Sequence, residues 1–461
     1  MIRYSLVCDR KHDFEIWFKN SADYDKQSKR GLVSCPLCGS GKVEKALMAP
    51  SLGRGTKKGS ADMPAIEVPP APVETPGPEH WTELVPARPG VTIGGVSCFR
   101  DFMVLHEREH ALPRLVVHDF ATGESRPVVF DEPAYTVSAS VNEEFTTTRY
   151  RYAYQSFVTP PSVFELDLGT RASTLLKRTP VLGGWDPARY EMERLHATAP
   201  DGVTVPVTLL RRRDVPRDGS APCLLYGYGS YGHAMNVTFS STRYSLVDRG
   251  AVFAIAHIRG GSDHGQAWHD AGRMAHKMNT FTDFIACAEH LIAARVTSAD
   301  RLVIQGGSAG GLLMGAVVNL RPELFRGVLM QVPFVDVLNT MLDETLPLTV
   351  GEFEEWGDPK DPAQYGWMRA YSPYDNLTAR DYPAMLVTTS LNDSQVGFWE
   401  PAKYVARLRE RKTDANPVLF RINMGAGHGG ASGRYDALHE LAFEYAWVLD
   451  CMGLATATPL G

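Results

Sequence analysis

The spacing of apolar residues changes near residue 190, and this change divides the chain. From there onward, short apolar runs alternate with longer helix-like stretches such as NTFTDFIACAEHLIAAR. The apolar runs are APCLLYGYG, AVFAIAHI, RLVIQG, GVLMQVPF, AMLVTTS and PVLFRIN. Buried strands that alternate with helices are typical of layered α/β folds with a mostly parallel sheet. We therefore predict an α/β domain over residues 190–461.

Residues 80–189 show a different pattern, in which short runs of alternating apolar and polar residues are separated by turn residues. The runs are DFMVLHERE, PRLVVHDF, YTVSASV, RYRYAYQSF and SVFELDL. Their lengths and spacing are typical of antiparallel sheets. The segment has room for about two four-stranded sheets.

Two further segments precede this β-rich part. Residues 1–52 are polar and contain three of the seven cysteines. Residues 53–79 have no apolar period and are dense in proline, which favours an extended, solvated linker. The sequence thus predicts four parts in succession.

The N-terminal cysteines have the spacing of metal ligands. Cys8 and His12 form a C-x3-H pair, and Cys35 and Cys38 form a C-x-x-C turn. Together they predict a zinc-ribbon-like segment with a Cys3His zinc site. A redox pair or merely buried cysteines are the alternatives. The segment also resembles the opening of a short bacterial domain family of unknown function, through its C-x3-H, FEIWF and SCPLCGS motifs, and this resemblance implies no activity.

Composition excludes several classes of function. The chain has 47 Lys and Arg against 53 Asp and Glu, a formal net charge of -6, which argues against a general nucleic-acid or membrane-surface binder. No apolar run reaches the roughly 18 residues of a membrane span, and the N-terminus carries charges where a signal peptide needs an apolar core. We expect a cytoplasmic protein without a disulfide framework. Four cysteines are expected to pack as small apolar residues: Cys98, Cys223, Cys287 and Cys451.

The run RLVIQGGSAGGLLMGAVVN places a serine between a predicted strand and a predicted helix. Residues 306–310 match G-x-S-x-G, in which a sharp strand-to-helix turn exposes the serine side chain at the top of an α/β-hydrolase sheet. The motif predicts Ser308 as a nucleophile. A tight turn around a small residue is the alternative, so the partners of Ser308 decide.

Two candidate partners follow Ser308 in the order that this fold expects, acid before base. Asp393 comes directly after the apolar run AMLVTTS, and His428 follows the next run, PVLFRIN. A serine hydroxyl needs an imidazole to take its proton and a carboxylate to orient that imidazole. The alternatives are that Asp393 caps a helix and that His428 is an ordinary loop residue. Both alternatives would have to be true at once, beside the serine motif, for the triad to be absent.

The oxyanion of the reaction needs hydrogen-bond donors as well. One is the backbone N–H of Ala309, the residue after the nucleophile. The second is expected from the loop LLYGYGSYG, where the phenol of Tyr228 could donate. Aromatic packing below the site is the simpler interpretation of Tyr226.

Several long motifs in order resemble one known family. YGYGSYG, HIRGGSDHGQAWHDAGR, NTFTDF, GGSAGGLLMG, VPFVDVLNTMLDETLPLTVGEFEEWGDP, SPYDN, LNDSQVGFWEPAKYVARLR and GHGGASGRY are similar to oligopeptidase B of the prolyl oligopeptidase family. The resemblance runs from about residue 81 to the C-terminus. It implies an α/β-hydrolase domain behind a β-propeller, and a serine peptidase that cuts short peptides after Lys or Arg without a catalytic cofactor. It also implies Ser308, Asp393 and His428 as the triad, with Tyr228 in the oxyanion hole.

The resemblance further implies a substrate pocket. Glu352 and Glu354 would bind the basic side chain before the scissile bond, and Tyr231 and Gln395 would also contact substrate. From the residues alone, the acidic run GEFEEWG is a solvated face. Relatives carry two aspartates where this chain has Asn236 and Thr238, so we expect little preference for a second basic residue.

The β-rich part departs from the family, because relatives have seven propeller blades and this chain has room for about two. We expect open sheet edges and access for larger substrates. An esterase or aminoacyl hydrolase of the same fold is one alternative. A zinc-binding interaction protein with an inactive hydrolase is another. The oligomeric state cannot be inferred from these patterns.

Overall fold

A computed structural model describes residues 2–10, 12–18, 26, 28, 33–36, 38, 40–45 and 83–456. The predicted linker, 53–79, lies outside these residues. The chain forms two compact units, Met1–Glu83 and Leu84–Gly461. No helix in the described part of the chain combines the length and apolarity needed to cross a bilayer.

The described part of the first unit contains a three-stranded antiparallel sheet. Its strands are β1 (Ile2–Cys8), β2 (Asp13–Phe18) and β3 (Val43–Lys45), in the order β2-β1-β3. Leu6 and Val33 are fully or almost fully buried. The sheet brings the end of β1 and the starts of β2 and β3 to one side, since Val7 pairs with Asp13 and Cys8 pairs with Val43.

Two four-stranded antiparallel sheets open the second unit, which confirms the propeller-like part. The first contains β4 (Val91–Cys98), β5 (Phe102–Glu109), β6 (Leu112–Asp119) and β7 (Ser125–Pro127). The second contains β8 (Thr136–Ala139), β9 (Arg149–Gln155), β10 (Ser162–Asp167) and β11 (Ser173–Arg178). The glycine-containing β4 and the fully exposed β7 and β11 lacked the apolar alternation by which strands were recognised in the sequence.

Strand β9 shows why these sheets pack together. Its sequence RYRYAYQ alternates, so Tyr150 and Tyr152 point inward and are buried, whereas Arg149 and Arg151 point outward. Both arginines donate to the carboxylate of Glu165 on β10, each at 2.9 Å. The inward tyrosines share one core with apolar residues of the first sheet. Apolar side chains remain exposed on β11, where Leu175 and Leu176 are 44% and 48% exposed.

An eight-stranded sheet follows. Its strands are β12 (Tyr190–Thr198), β13 (Thr204–Arg212), β14 (Cys223–Tyr226), β15 (Val252–Ala256), β16 (Leu302–Gly307), β17 (Gly327–Gln331), β18 (Ala384–Ser390) and β19 (Val418–Asn423). The spatial order is β12-β13-β15-β14-β16-β17-β18-β19, and all pairs from β15 to β19 are parallel. The antiparallel pairing of β13 with β12 and β15 was not anticipated.

Helices cover both faces of this sheet. They are α1 (Tyr244–Val247), α2 (Gln266–Asp270), α3 (Met278–Ala293), α4 (Ala309–Leu320), α5 (Val337–Leu342), α6 (Phe353–Trp356), α7 (Pro362–Tyr371), α8 (Trp399–Arg411) and α9 (Arg434–Cys451). Single 3-10 turns span Pro187–Arg189, Ser241–Arg243, Met274–His276, Ala299–Arg301, Pro322–Leu324 and Val350–Glu352. Neighbouring strand residues enter opposite cores: Leu225 packs with residues of α3 and α4, and Leu224 with residues of α1 and α9. The predicted α/β-hydrolase architecture is confirmed.

The segment after β14 joins the β sheets to the α/β domain. Tyr244 donates its hydroxyl proton to the carbonyl of Phe157 at 2.7 Å, and the Phe239 N–H donates to Gln155 at 3.1 Å. The guanidinium of Arg243 lies 4.8 Å from the centre of the Phe157 ring. These contacts fix the β sheets against the same loop region that leads into the candidate site.

Two of the four cysteines expected in the core are fully buried, Cys223 and Cys287. Cys451 is half-buried, and the expectation for Cys98 is wrong because its side chain is exposed. Cys98 is the last residue of β4, which is the edge strand of its sheet and has no neighbour on its outer side among the described strands.

Two glycines with the same backbone conformation test how tightly the loops above the sheet are packed. Gly250 and Gly260 both have φ +94°, a region that costs other residues about 1–2 kcal/mol. A Cβ on Gly260 would lie 2.0 Å from the carbonyl oxygen of Gly229, whereas a Cβ on Gly250 would meet nothing within 4 Å. Gly250→Ala should therefore lower the free energy of unfolding only by this backbone cost. Gly260→Ala should lower it by on the order of 4 kcal/mol. Urea unfolding of both variants measures the difference, and equal losses would contradict this packing.

Candidate active site

The turn that carries Ser308 is strained in the manner that the sequence motif predicts. Ser308 has φ 56° and ψ -120° between β16 and α4, a conformation that a residue with a side chain adopts only when its surroundings enforce it. Its N–H donates to the carbonyl of Gln331 at 2.8 Å, and its carbonyl accepts from the N–H of Phe334 at 3.1 Å. Neighbouring β17 and the segment after it thus hold the serine in place.

The glycines of the motif are required by crowding. A Cβ on Gly306 would lie 2.3 Å from the carbonyl oxygen of Gly310, and a Cβ on Gly310 would lie 2.8 Å from that of Gly227. The intervening Gly307 would make only ordinary contacts. The backbone can therefore turn beneath Ser308 only with glycine on both sides.

A second strained residue, which sequence reasoning missed, lies beside the serine. Val332 follows β17 and has φ 41°, which is rare for a β-branched side chain. Its N–H donates to the carbonyl of Thr388 at 2.7 Å. Val332, Ser308 and His428 line one cavity. Strained residues concentrate at functional sites, and both outliers lie at the carboxyl ends of parallel strands.

His428 is oriented by Asp393. The imidazole Nδ1 lies 2.7 Å from Asp393 Oδ2, and the Asp393 side chain is fully buried. The other carboxylate oxygen accepts the backbone N–H groups of Gln395 and Val396, both at 2.9 Å. Nδ1 therefore carries the proton that it donates to Asp393, which leaves Nε2 as the proton acceptor on the cavity side.

Tyr228 lines a cavity of about 390 Å³ together with Ser308 and Asp393. Burial raises the pKa of Tyr228 to about 12, and nearby Tyr226, Glu352 and Glu355 act in the same direction. The phenol therefore keeps its proton at neutral pH and remains a hydrogen-bond donor. Ala309 is the first residue of α4, so its N–H belongs to the unpaired donors at a helix start.

The three glutamates of the acidic segment GEFEEWG lie in different surroundings: one lines the cavity, one is buried and one is exposed. Glu352 lines the cavity, and its Oε2 accepts from Tyr231 Oη and Trp356 Nε1, each at 2.8 Å. Glu355 is buried and accepts from the Tyr231 N–H at 2.9 Å and from His269 Nε2 at 2.7 Å. Glu354 is exposed and does not line the cavity. The structure thus places Glu352 in the cavity that Ser308 also lines and leaves Glu354 outside, because Glu352 ends the 3-10 turn before α6 whereas Glu354 lies within α6.

Of the remaining candidates, Tyr231 and Gln395 both line this cavity. Tyr231 has φ 57° and is held at both its N–H and its hydroxyl by the carboxylates of the acidic segment. Burial, reinforced by the neighbouring Glu352, raises the pKa of Tyr231. Tyr231 therefore stays protonated and continues to donate to Glu352.

A buried carboxylate at the cavity wall was also missed from the sequence. Glu400 on α8 accepts from Thr340 Oγ1 at 2.7 Å and from the N–H groups of Val335 and Asp336 at 3.2 and 3.0 Å. It lines the same cavity as Glu352, and burial raises its pKa to about 7. No periodicity or motif in WEPAKY marks this residue as buried.

Lys277 was also missed from the sequence. Its side chain is almost fully buried, and its Nζ donates to the carbonyl of Gly229 at 2.7 Å and to Ser230 Oγ at 2.8 Å. Burial lowers the pKa of Lys277 to about 8, against the opposing effect of Glu355, whose carboxylate lies 4.0 Å away. Lys277 supports the loop that carries Tyr228 and Tyr231.

The two positions at which relatives carry aspartates, Asn236 and Thr238, each accept a hydrogen bond from an arginine. Asn236 Oδ1 accepts from Arg108 Nη2 of β5 at 2.7 Å. Thr238 uses its carbonyl to accept from Arg243 at 2.8 Å. Neither position supplies a carboxylate, and the side chain of Asn236 is hydrogen-bonded to an arginine of the β sheets.

The four N-terminal candidates also lie together. The donor atoms of Cys8, His12, Cys35 and Cys38 are all within 4.8 Å of one another. This grouping belongs to the first unit.

Comparisons with known proteins agree with this geometry. Residues 237–455 match the prolyl oligopeptidase family, and residues 58–179 match the N-terminal β-propeller domain of prolyl oligopeptidases. Residues 1–85 match a family described only as a protein of unknown function, DUF1178.

Individual relatives agree as well. The chain is 49% identical to dipeptidyl aminopeptidase BI of Pseudoxanthomonas mexicana, covering 84% of this chain and 53% of that protein. It is 46% identical to protease 2 of Moraxella lacunata, covering 77% and 51%. The chain therefore spans about half the length of these curated relatives.

Solved structures share the fold at high similarity. Oligopeptidase B from Leishmania major superposes with a TM-score of 0.77 at 41% identity, over 82% of this chain and 54% of that one. Oligopeptidase B from Trypanosoma brucei, with covalently bound antipain, gives 0.76 at 41% identity, over 80% and 53%. Through the two family models, which match residues 58–179 and 237–455, the chain belongs to the prolyl oligopeptidase family.

Proposed function

We propose that this chain is a serine peptidase that cleaves peptides on the carboxyl side of arginine or lysine. One observation carries the proposal: a single cavity is lined by Ser308, by the phenol donor Tyr228 and by the carboxylate of Glu352. A nucleophile, an oxyanion donor and a binding group for a cationic side chain thus face the same space. Together with His428 as the general base, they supply the groups that such a reaction needs.

The first half of the reaction forms an acyl-enzyme. His428 Nε2 takes the proton of Ser308 Oγ as the oxygen attacks the scissile carbonyl carbon, and Asp393 stabilises the resulting imidazolium. The carbonyl oxygen becomes an oxyanion and accepts from Tyr228 Oη and the Ala309 N–H. His428 then gives its proton to the leaving amine nitrogen, the C–N bond breaks, and the acyl group remains on Ser308.

The second half repeats these roles with water. His428 takes a proton from water as its oxygen attacks the acyl carbon, and the same two donors stabilise the oxyanion. The bond to Ser308 Oγ then breaks, and His428 returns the proton to the serine. The products are a free carboxylic acid and the regenerated hydroxyl.

Specificity for a basic side chain rests on charge in the cavity. Glu352 presents a carboxylate that is already held by Tyr231 and Trp356, so it needs little further ordering to bind a cation. A guanidinium can donate two parallel hydrogen bonds to a carboxylate, whereas an ammonium binds as a point charge. We therefore expect arginine to be preferred over lysine. Glu400 adds a second carboxylate to the wall when it is ionised.

A second basic residue upstream is not expected to help. Asn236 is neutral, and the guanidinium of Arg108 lies directly on it. A substrate cation at this position would gain no charge-assisted hydrogen bond and would meet a like charge. The specificity should therefore depend on one side chain.

The proposal is tested with purified protein and three N-blocked reporters: an arginyl amide, the matching citrullyl amide and the matching arginyl ester. Hydrolysis of the arginyl amide with a clear advantage over the uncharged citrullyl amide supports the proposal. Turnover of the ester alone would instead indicate an esterase. No turnover, together with no fluorophosphonate labelling of Ser308, would indicate an inactive hydrolase. Because the relatives include a protein named as a dipeptidyl aminopeptidase, a requirement for a free amino terminus would overturn cleavage within peptides.

Removing the triad residues singly and together tests whether they act as one unit. Ser308→Ala, His428→Ala and Asp393→Asn should each lower kcat by several orders of magnitude, and the triple variant should lose little more than Ser308→Ala. Steady-state kinetics on the arginyl amide provide the measurement. Losses that simply multiply would show that the three residues do not cooperate.

The phenol of Tyr228 should act in the transition state. Tyr228→Phe keeps the ring packing but removes one of two oxyanion donors, which should raise the barrier by about 2.5–4 kcal/mol. We expect kcat to fall with little change in KM. Tyr226→Phe is the matched control, since Tyr226 is a neighbouring tyrosine at the end of β14. Equal effects of the two changes would remove Tyr228 from the oxyanion hole.

Glu352 and Glu354 provide a matched test of the pocket proposed for the basic side chain. Glu352→Gln should raise KM for the arginyl amide about tenfold or more, because a charge-assisted hydrogen bond contributes about 1.5–3 kcal/mol. Glu354→Gln should change KM by less than about twofold, because its carboxylate is exposed. Neither change should alter KM for the citrullyl amide by as much. A larger effect at Glu354 would show that substrate binding rearranges α6.

A further inference from the structure

The first unit carries a cluster of soft ligands that the proposed peptidase reaction does not use. Cys8 is the last residue of β1, and His12 comes just before β2. Cys35 and Cys38 lie in the turn before β3. Since the sheet order is β2-β1-β3, the end of β1 and the starts of its two neighbours lie at the same edge. The strand pairing thus brings together residues separated by up to 30 positions.

Two distances in this cluster match the edges of a tetrahedral metal site. Cys8 Sγ lies 3.7 Å from Cys38 Sγ, and Cys35 Sγ lies 3.7 Å from His12 Nδ1. Zinc bonds of about 2.3 Å to sulfur and about 2.0 Å to nitrogen give a tetrahedron with edges of about 3.5–3.8 Å. A disulfide would instead need the sulfurs at about 2.05 Å. The spacing is therefore that of ligands around a common centre.

The backbone around the cluster supports thiolates. The His12 N–H points at Cys8 Sγ at 3.4 Å, and the Cys35 N–H donates to the Ser40 carbonyl at 2.8 Å, which closes the C-x-x-C turn. Donors directed at a ligand sulfur stabilise its negative charge and orient it. The turn is also tied to the β1–β2 connection, since Ser40 Oγ donates to Asp9 Oδ1 at 2.6 Å. Hydrogen bonds thus hold both arms of the site.

Burial indicates which role the ion would have. Cys8 and Cys35 are 4% and 1% exposed, while His12 and Cys38 are half-buried. Four protein ligands complete a tetrahedral shell and leave no open position for water or substrate, which is the arrangement of structural and not catalytic zinc. Three thiolates and an imidazole favour zinc over the oxygen-seeking cations.

We propose that Cys8, His12, Cys35 and Cys38 bind one zinc ion that stabilises the fold of the first unit. Each thiol that binds releases its proton to solvent, and His12 binds through neutral Nδ1. The ion joins the β1–β2 connection to the turn before β3. A unit of this size has a small core, so the binding energy of the ion contributes directly to its folding.

The test uses the 461-residue chain purified without chelators, with metal content measured by elemental analysis and native mass spectrometry. We expect about one zinc per chain. Cys38→Ser and His12→Ala should lower the zinc content at least tenfold at micromolar free zinc. His12→Cys should retain the ion, because a fourth thiolate preserves the ligand number. Cys98→Ser is the matched control, since Cys98 is exposed and lies on β4 outside this unit.

A second measurement keeps the proposal testable if the ligand variants fold poorly. Cobalt exchanged into the unaltered chain should give the visible absorption of a tetrahedral thiolate complex, and a chelator should abolish it while making the first unit sensitive to limited proteolysis. Three results would overturn the proposal: metal-free protein with a mass lowered by a disulfide, equal zinc in Cys38→Ser and the Cys98→Ser control, or iron in place of zinc. Each of these is independent of whether Ser308 hydrolyses peptides.

Discussion

Close contact between backbones above the sheet is the constraint on which the candidate site depends. Three loops at the carboxyl ends of β14, β15 and β16 approach one another at glycines, where a Cβ would lie 2.0–2.8 Å from a carbonyl oxygen. The contacts join Gly229 to Gly260, Gly306 to Gly310, and Gly310 to Gly227. Because these loops touch through their main chains, the positions of Tyr228 and Ser308 are set relative to each other by backbone and not by flexible side chains. That rigidity is what an oxyanion hole needs.

The buried ammonium group of Lys277 links these loops to the side of the cavity that carries Glu352. Lys277 binds the tyrosine-bearing loop through Gly229 and Ser230, and its ammonium lies 4.9 Å from the centre of the Trp356 ring. Trp356 in turn donates to Glu352. One lysine thus contacts both the loop of the oxyanion donor and the tryptophan that holds the proposed substrate carboxylate. A cation at this position is costly to bury, which is consistent with a role in holding the two sides of the cavity together.

The sequence was sufficient for those parts of the site that depend on local rules. The glycines around Ser308 predicted the elbow, and the positions of Asp393 and His428 after successive strands placed them at the same edge of a parallel sheet. Other features depend on packing between distant segments. The family resemblance implied the same pocket role for Glu352 and Glu354, yet only the packing of residues 350–356 decides which of them faces the cavity. Lys277 and Glu400 carry no pattern that distinguishes a buried charge from a solvated one.

The fold shows the same division between local and long-range information. Strands with regular alternation, such as β9, were recognisable from the chain. Strand β4 contains two adjacent glycines, and β11 has no buried face, so each is defined only by the neighbour with which it pairs. The antiparallel strands β12 and β13 lie at the start of the predicted α/β domain, but the apolar runs recognised there began only with APCLLYGYG.

The central claim is that the nucleophile and the cation-binding carboxylate serve one substrate in one cavity. Reaction with an arginyl phosphonate ester, followed by peptide mapping and mass spectrometry, tests this claim most directly. The account predicts a single covalent adduct on Ser308 that forms at least about tenfold faster than the adduct of the norleucyl analogue, in line with one charge-assisted hydrogen bond. Equal rates for the two reagents, or an adduct on another residue, would contradict it.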